Sequence, residues 1–83
     1  MKLIWKFTVS MGLSVVAVPR ARIIAFGMQD TPVFWCEVER PVASSVVRTF
    51  DIFPTGHEVP DGWEWRATLQ DDPFVWHVYE KQP

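Results

Sequence analysis

Cys36 is the only cysteine in this 83-residue chain, so no internal disulfide can staple the fold. With just two histidines beside it, the chain lacks the ligands of a structural zinc site. There is no cluster of basic residues: eight Lys and Arg against ten Asp and Glu give a net charge of −2, with both signs spread along the chain. That argues against a surface that tracks phosphates, and no nucleic-acid partner is expected. The longest apolar run, Phe7 to Val18, falls short of a bilayer span, so no membrane partner is expected either. Glycine-rich phosphate loops, a Ser/His/Asp order and paired carboxylates in a credible setting are all missing. No enzyme, cofactor or metal centre is therefore expected. No segment combines ten residues of helical period with capping residues.

What the chain does have is apolar and aromatic surface. Its residues are 48% hydrophobic and include five Trp and six Phe. A chain of this size buries only about 60% of its unfolded surface, and large rings supply the most buried area per residue. One domain over residues 1–83 follows. The start, "MKLIWKFTVSMGLSVVAVPRA", imitates a signal peptide, with Lys2 and Lys6 ahead of an apolar run. Leu3, Trp5, Phe7 and Val9 nevertheless alternate with polar neighbours, which is a strand pattern, so the segment is expected to stay in the folded protein.

Period 2 dominates the rest. Strands are predicted over Leu3–Ser10, Ser14–Val18, Arg22–Met28, Val33–Glu39, Val46–Phe53, Trp63–Leu69 and Phe74–Glu80. Pro32 is placed as the first residue of its strand, and "PTGHEVPDG" is the longest stretch of turn formers. The fold class is all-β: a six- or seven-stranded antiparallel sandwich or partly closed barrel.

The chain also echoes itself. Val18–Arg40 laid on Val59–Lys81, a constant shift of 41 positions, gives seven identities in 23: Val18/Val59, Pro19/Pro60, Gln29/Gln70, Asp30/Asp71, Pro32/Pro73, Trp35/Trp76 and Glu39/Glu80. About one or two would arise from composition alone. The preceding strands align only with a gap. The chain thus reads as two related halves, about 1–42 and 43–83, each a strand, a Val-Pro loop and a hairpin.

Strand parity sorts the candidate binding residues. Phe34, Cys36 and Val38 form one apolar side, with Trp35, Glu37 and Glu39 opposite. If the halves are equivalent at that shift, Val75, His77 and Tyr79 face the core and Trp76 joins Trp35 outside, where exposed indoles anchor partners. The alternative is that parity is broken and the Trp residues are core, which the apolar Phe74, Trp76 and Val78 favour. His77 lacks an orienting carboxylate in sequence and reads as a half-buried histidine bonded to backbone. Cys36 reads as a buried small hydrophobe. Thr55, His57, Glu58 and Asp61 lie in the richest loop, beside Trp63. Their spacing matches no metal site, and a solvated turn with Gly56 at positive φ is the simpler reading. Trp63, Trp65 and Arg66 suggest a stacking platform, but Glu64, Asp71 and Asp72 crowd the same hairpin.

The combination of "RTFDIFPTGHEVP" with "WRATLQDDPFVWHVYE" resembles a family of small phage-encoded proteins known only as a domain of unknown function. The correspondence runs through Lys2–Phe7, Pro19–Gln29, Trp35, Thr55–Pro60 and Val75–Glu80, nearly the whole chain. The resemblance implies a phage origin and the bacterial host cytoplasm, and carries over no catalytic residue. The expectation is a non-enzymatic binding module that docks on a host or phage protein through Trp35, Trp76, Thr55, His57, Trp63, Trp65 and Arg66. A structural or assembly homo-oligomer, possibly a homodimer, is the alternative, and a small-ligand or nucleotide binder the second.

Overall fold

The computed structural model describes residues 1–42 and 44–83. Seven strands appear: β1 (Lys2–Thr8), β2 (Ser14–Pro19), β3 (Arg22–Met28), β4 (Pro32–Glu39), β5 (Ser45–Pro54), β6 (Trp63–Asp71) and β7 (Phe74–Lys81). All pairings are antiparallel, in a three-stranded sheet of order β1-β4-β3 and a four-stranded sheet of order β2-β5-β7-β6. The sheets do not close into a barrel, so the sandwich holds and the partly closed barrel does not. Among the described residues no helix is long and apolar enough to cross a membrane.

Both sheets contain one three-strand order in which the last strand of the trio lies at the centre, as β1-β4-β3 and β5-β7-β6. The difference lies in the first connection. Thirteen residues separate β1 from β3, against eight between β5 and β6, and the longer link holds β2. This strand leaves the sheet of β1 and pairs with β5 in the other, Val18 opposite Val46 and Val16 opposite Arg48. The crossing is fixed by polar contacts. The Val9 N–H donates to the Pro32 carbonyl (2.8 Å), the Thr31 hydroxyl to the Val9 carbonyl (2.9 Å), and the Ser10 N–H to Ser14 Oγ (2.8 Å).

The core is aromatic at its centre. Phe34 of β4 lies 5.3 Å from Phe7, 5.6 Å from Phe26 and 5.2 Å from Phe50 across the sandwich. Val9, Val18, Cys36, Val38, Ile52, Leu69 and Val78 complete it. Phe34 and Phe50 are fully buried, and rings in tilted or offset contact add to what area burial alone contributes.

Bulges decide which residues reach this core. In β6 the register with β7 shifts between Trp65 and Ala67. Unbroken alternation would set Trp63, Trp65, Ala67 and Leu69 on one face. The extra residue, Arg66, turns the strand over. Trp63 and Trp65 then lie on the outer face, while Ala67 and Leu69 pack inside. A matching shift occurs in β3 between Ile23 and Ala25.

The equivalence at a shift of 41 does not survive in the pairing. Val38 pairs Leu3 and Cys36 pairs Trp5 in one sheet, while Glu80 pairs Phe50 and Val78 pairs Ile52 in the other. Cys36 therefore corresponds to Val78, and Phe34 to Trp76, a shift of 42. Trp76, Val78 and Glu80 face inward; Val75, His77 and Tyr79 face outward, the reverse of what equivalent halves at 41 require. The hairpins explain the slip. Met28 pairs Pro32 around a three-residue turn, Gln29 to Thr31, whereas Asp71 pairs Phe74 around Asp72 and Pro73 alone. The shared Gln-Asp pair sits in the turn of one hairpin and in the strand of the other. One residue of phase exchanges the faces.

Candidate binding face

The outer face of the four-stranded sheet gathers side chains from three adjacent strands. Phe53 of β5 stands opposite His77 of β7, and Trp65 and Thr68 of β6 stand opposite Tyr79 and His77. Phe53 meets Tyr79 edge-to-face at 5.5 Å and Trp63 at 6.1 Å. An outer sheet face in water is ordinarily polar; this one carries four aromatic rings. Trp65 is 54% exposed.

A line of hydrogen bonds crosses the same face. Trp65 Nε1–H donates to Thr68 Oγ1 at 3.0 Å; Thr68 Oγ1 lies 3.0 Å from His77 Nδ1, and His77 Nε2 lies 2.8 Å from Thr55 Oγ1. A neutral imidazole satisfies all three contacts, with the Thr68 hydroxyl donating to Nδ1 and Nε2–H donating to Thr55. His77 is half-buried, but its partners are these two hydroxyls and not backbone. Pinning the ring from both sides holds Thr55 and Trp65 in place at the rim of the aromatic patch. Thr55 can sit there because the chain turns immediately after it at Gly56, whose φ is +91°.

Of the residues singled out in sequence, Thr55, Trp63 and Trp65 come together here, around His77. His57 lies farther out on the exposed loop, its N–H donating to the Pro54 carbonyl at 3.2 Å. Trp35 is on the outer face of the other sheet, lying over Gly27 so closely that a Cβ there would sit 3.0 Å from the indole. Trp76 packs against the core, stacked on Phe74 at 5.4 Å, with Nε1–H directed at Asp71 Oδ2 (3.4 Å). The two indoles matched in sequence therefore lie in opposite settings and form no common surface. Phe53, Thr68 and Tyr79 were missed; each belongs to the face through cross-strand register, which period-2 patterning does not supply.

Arg66 is turned inward by its bulge. Its Nε donates to Glu80 Oε1 at 2.9 Å, while Arg48 holds Glu80 from the other side through Nε to Oε2 (2.7 Å) and Nη2 to Oε1 (2.6 Å). Burial pushes the Glu80 carboxyl up, but the hydrogen bonds and charges of both arginines outweigh it and hold the group below its ordinary range. The Glu80 hydrogen bond raises Arg48 still further. Burial also raises the Cys36 thiol, against a smaller opposing pull from Arg48, so Cys36 is not an activated nucleophile.

The fold and this face define a small open β-sandwich whose four-stranded sheet carries an aromatic outer surface. The chain belongs to the family described as Domain of unknown function (DUF7352), which matches residues 1–83. Comparison with curated proteins and with solved structures gave no match.

Proposed function

We propose that this protein is a non-enzymatic binding module, phage-encoded and working in the bacterial host cytoplasm, that docks on a host or phage protein. The docking surface is the outer face of the four-stranded sheet. One observation carries this reading: Phe53, Trp63, Trp65 and Tyr79 lie together on a face that is normally polar, with the hydroxyl of Thr55 at its rim. Tyr and Trp dominate interface hot spots because they bury large area at little conformational cost. The line from Trp65 to Thr55 fixes two of these groups before any partner arrives, which lowers the entropy lost on binding. The phage setting rests on the sequence pattern that runs from Lys2 to Glu80.

The test begins with capture from a bacterial lysate and is decided with the captured protein purified on its own. A 1:1 complex is expected, weakened about a hundredfold by Trp65→Ala, a hot-spot loss of roughly 2–3 kcal/mol, and unchanged by Trp35→Ala on the opposite face. Equal binding by wild type and Trp65→Ala refutes the surface. Capture of nothing while the protein stays folded refutes the module.

Val15 and Val47 favour a second reading. They lie on the same outer face toward the β2 edge and are 65% and 69% exposed. Two copies placed face to face would cover both valines and the aromatic patch. Sedimentation at rising concentration separates the readings: a dimer that Trp65→Ala dissociates supports self-assembly.

A further inference from the structure

We propose that the open seam between the two sheets is a binding groove for a small monocarboxylate with an apolar body. The seam runs between β3 and β6, edge strands of different sheets. A cavity of about 550 Å3 occupies it, within the range of small-molecule sites. Ile23, Phe26, Ala67 and Leu69 line it with apolar surface, and Arg22, Arg48 and Arg66 are its charged residues. No described carboxylate lines the cavity, in a chain whose net charge is −2.

The arginines are held in place before any ligand arrives. Glu80 takes Nε and Nη2 of Arg48 and Nε of Arg66, and Glu64 takes Nη1 of Arg66 at 3.2 Å. Arg48 Nη1 and Arg66 Nη2 have no protein acceptor among the described residues. Two guanidinium groups anchored by one shared carboxylate, both on residues that line the cavity, thus each keep a donor nitrogen uncommitted. The charge arithmetic selects the ligand. Arg48 and Arg66 carry two positive charges against one on Glu80, whose side chain is 10% exposed. Glu64 is 58% exposed and Arg22 in the cavity lining is exposed as well, so water screens the share of each. One positive charge remains, which a monoanion balances and a phosphate dianion exceeds. A carboxylate accepts from two guanidinium edges with good geometry, and the Ile23–Phe26–Leu69 wall takes the hydrocarbon.

The same seam could not serve a neutral apolar ligand as well, because entry of such a group would strip water from Arg48 and Arg66 with nothing in return. That contrast supplies the experiment. The probes are 4-phenylbutyrate and its primary amide, titrated into the whole protein and followed by methyl NMR of Ile23 and Leu69. Saturable shifts with a Kd of about 1 mM are expected for the acid, with the amide at least about tenfold weaker. Arg66→Gln, which leaves the Arg48–Glu80 pair intact, should weaken the acid about tenfold. Ala67→Leu, which fills the cavity and touches no charge, should abolish binding of both probes. Absence of shifts with the acid, equal affinity for acid and amide, or unchanged binding in Ala67→Leu overturns the proposal. The last comparison decides the matter even where Arg66→Gln fails to fold.

Discussion

Replacing Glu80 by glutamine tests how three neighbouring strands of the four-stranded sheet, β5, β7 and β6, are tied at their charged end. The change conserves shape and removes one charge. The carboxylate accepts three hydrogen bonds from two guanidinium groups at 2.6–2.9 Å. A glutamine has one acceptor oxygen, so its amide NH2 must face one of the arginines, donor against donor. Breaking a buried pair from one side costs about 3–5 kcal/mol. Here Arg48 and Arg66 keep 20% and 28% of their side chains in water, which cushions the loss. A cost of about 2–3 kcal/mol follows. Against a total stability of roughly 4–12 kcal/mol for a domain of this size, that is a large fraction, and it should lower Tm by about 10–20 °C.

Urea unfolding followed by Trp fluorescence reads the difference, and pH supplies a second dimension. The carboxyl of Glu80 is held below its ordinary value of 4.5 in the folded state. Its contribution is therefore complete above the unfolded value and is lost as pH falls from there through the lower folded one. Wild type and Glu80→Gln should differ fully at pH 7 and converge progressively as the pH falls from about 4.5 through the lower folded-state value. A triple apolar replacement, Arg48→Met and Arg66→Met with Glu80→Leu, should cost less than Glu80→Gln alone, because it removes all three charges of the cluster together and strands none of them. A Glu80→Gln protein within about 0.5 kcal/mol of wild type at pH 7 would refute this account of the cluster.

Three further outcomes are expected. Phe34→Ala empties the ring cluster shared with Phe7, Phe26 and Phe50 and should cost about 3–5 kcal/mol, leaving a protein that melts near or below room temperature by circular dichroism. Gly27→Ala drives a methyl against the Trp35 indole at 3.0 Å, so a loss of about 1–2 kcal/mol with an altered Trp emission should appear together; emission identical to wild type would refute the contact. His77→Ala removes both hydroxyl contacts on the partly exposed outer face and should cost about 1 kcal/mol by urea unfolding, while in the NMR spectrum the Trp65 indole N–H moves.

Much of the architecture is visible in single residues. Strand β4 reads directly, because Phe34, Cys36 and Val38 alternate with Trp35 and Glu37 and their inward and outward faces follow that pattern. Pro32 begins β4, as a proline without a ladder N–H should. Strand β6 does not read this way. "WEWRATLQ" looks like an unbroken alternation, and nothing in it marks Arg66 as the bulged residue that separates the outward Trp63 and Trp65 from the inward Leu69. The echo between Met28–Arg40 and Leu69–Lys81 misleads for a related reason. Identity of residues reports common chain, while the face of a strand is set by turn length, and the two hairpins differ by one residue.

The sequence by itself determined that this is a β-protein with no covalent staple, that its core is aromatic, and where each of the seven strands begins to within one residue. Those properties are local: alternation, turn formers and ring count act over a few neighbouring positions. Tertiary structure decided the rest. It sent β2 to the opposite sheet, put Trp76 inside and His77 outside, joined Phe53, Trp63, Trp65 and Tyr79 into one face, and closed Arg48 and Arg66 around Glu80. Each of these depends on pairing between residues far apart in the chain, and one residue of register is enough to exchange core for surface.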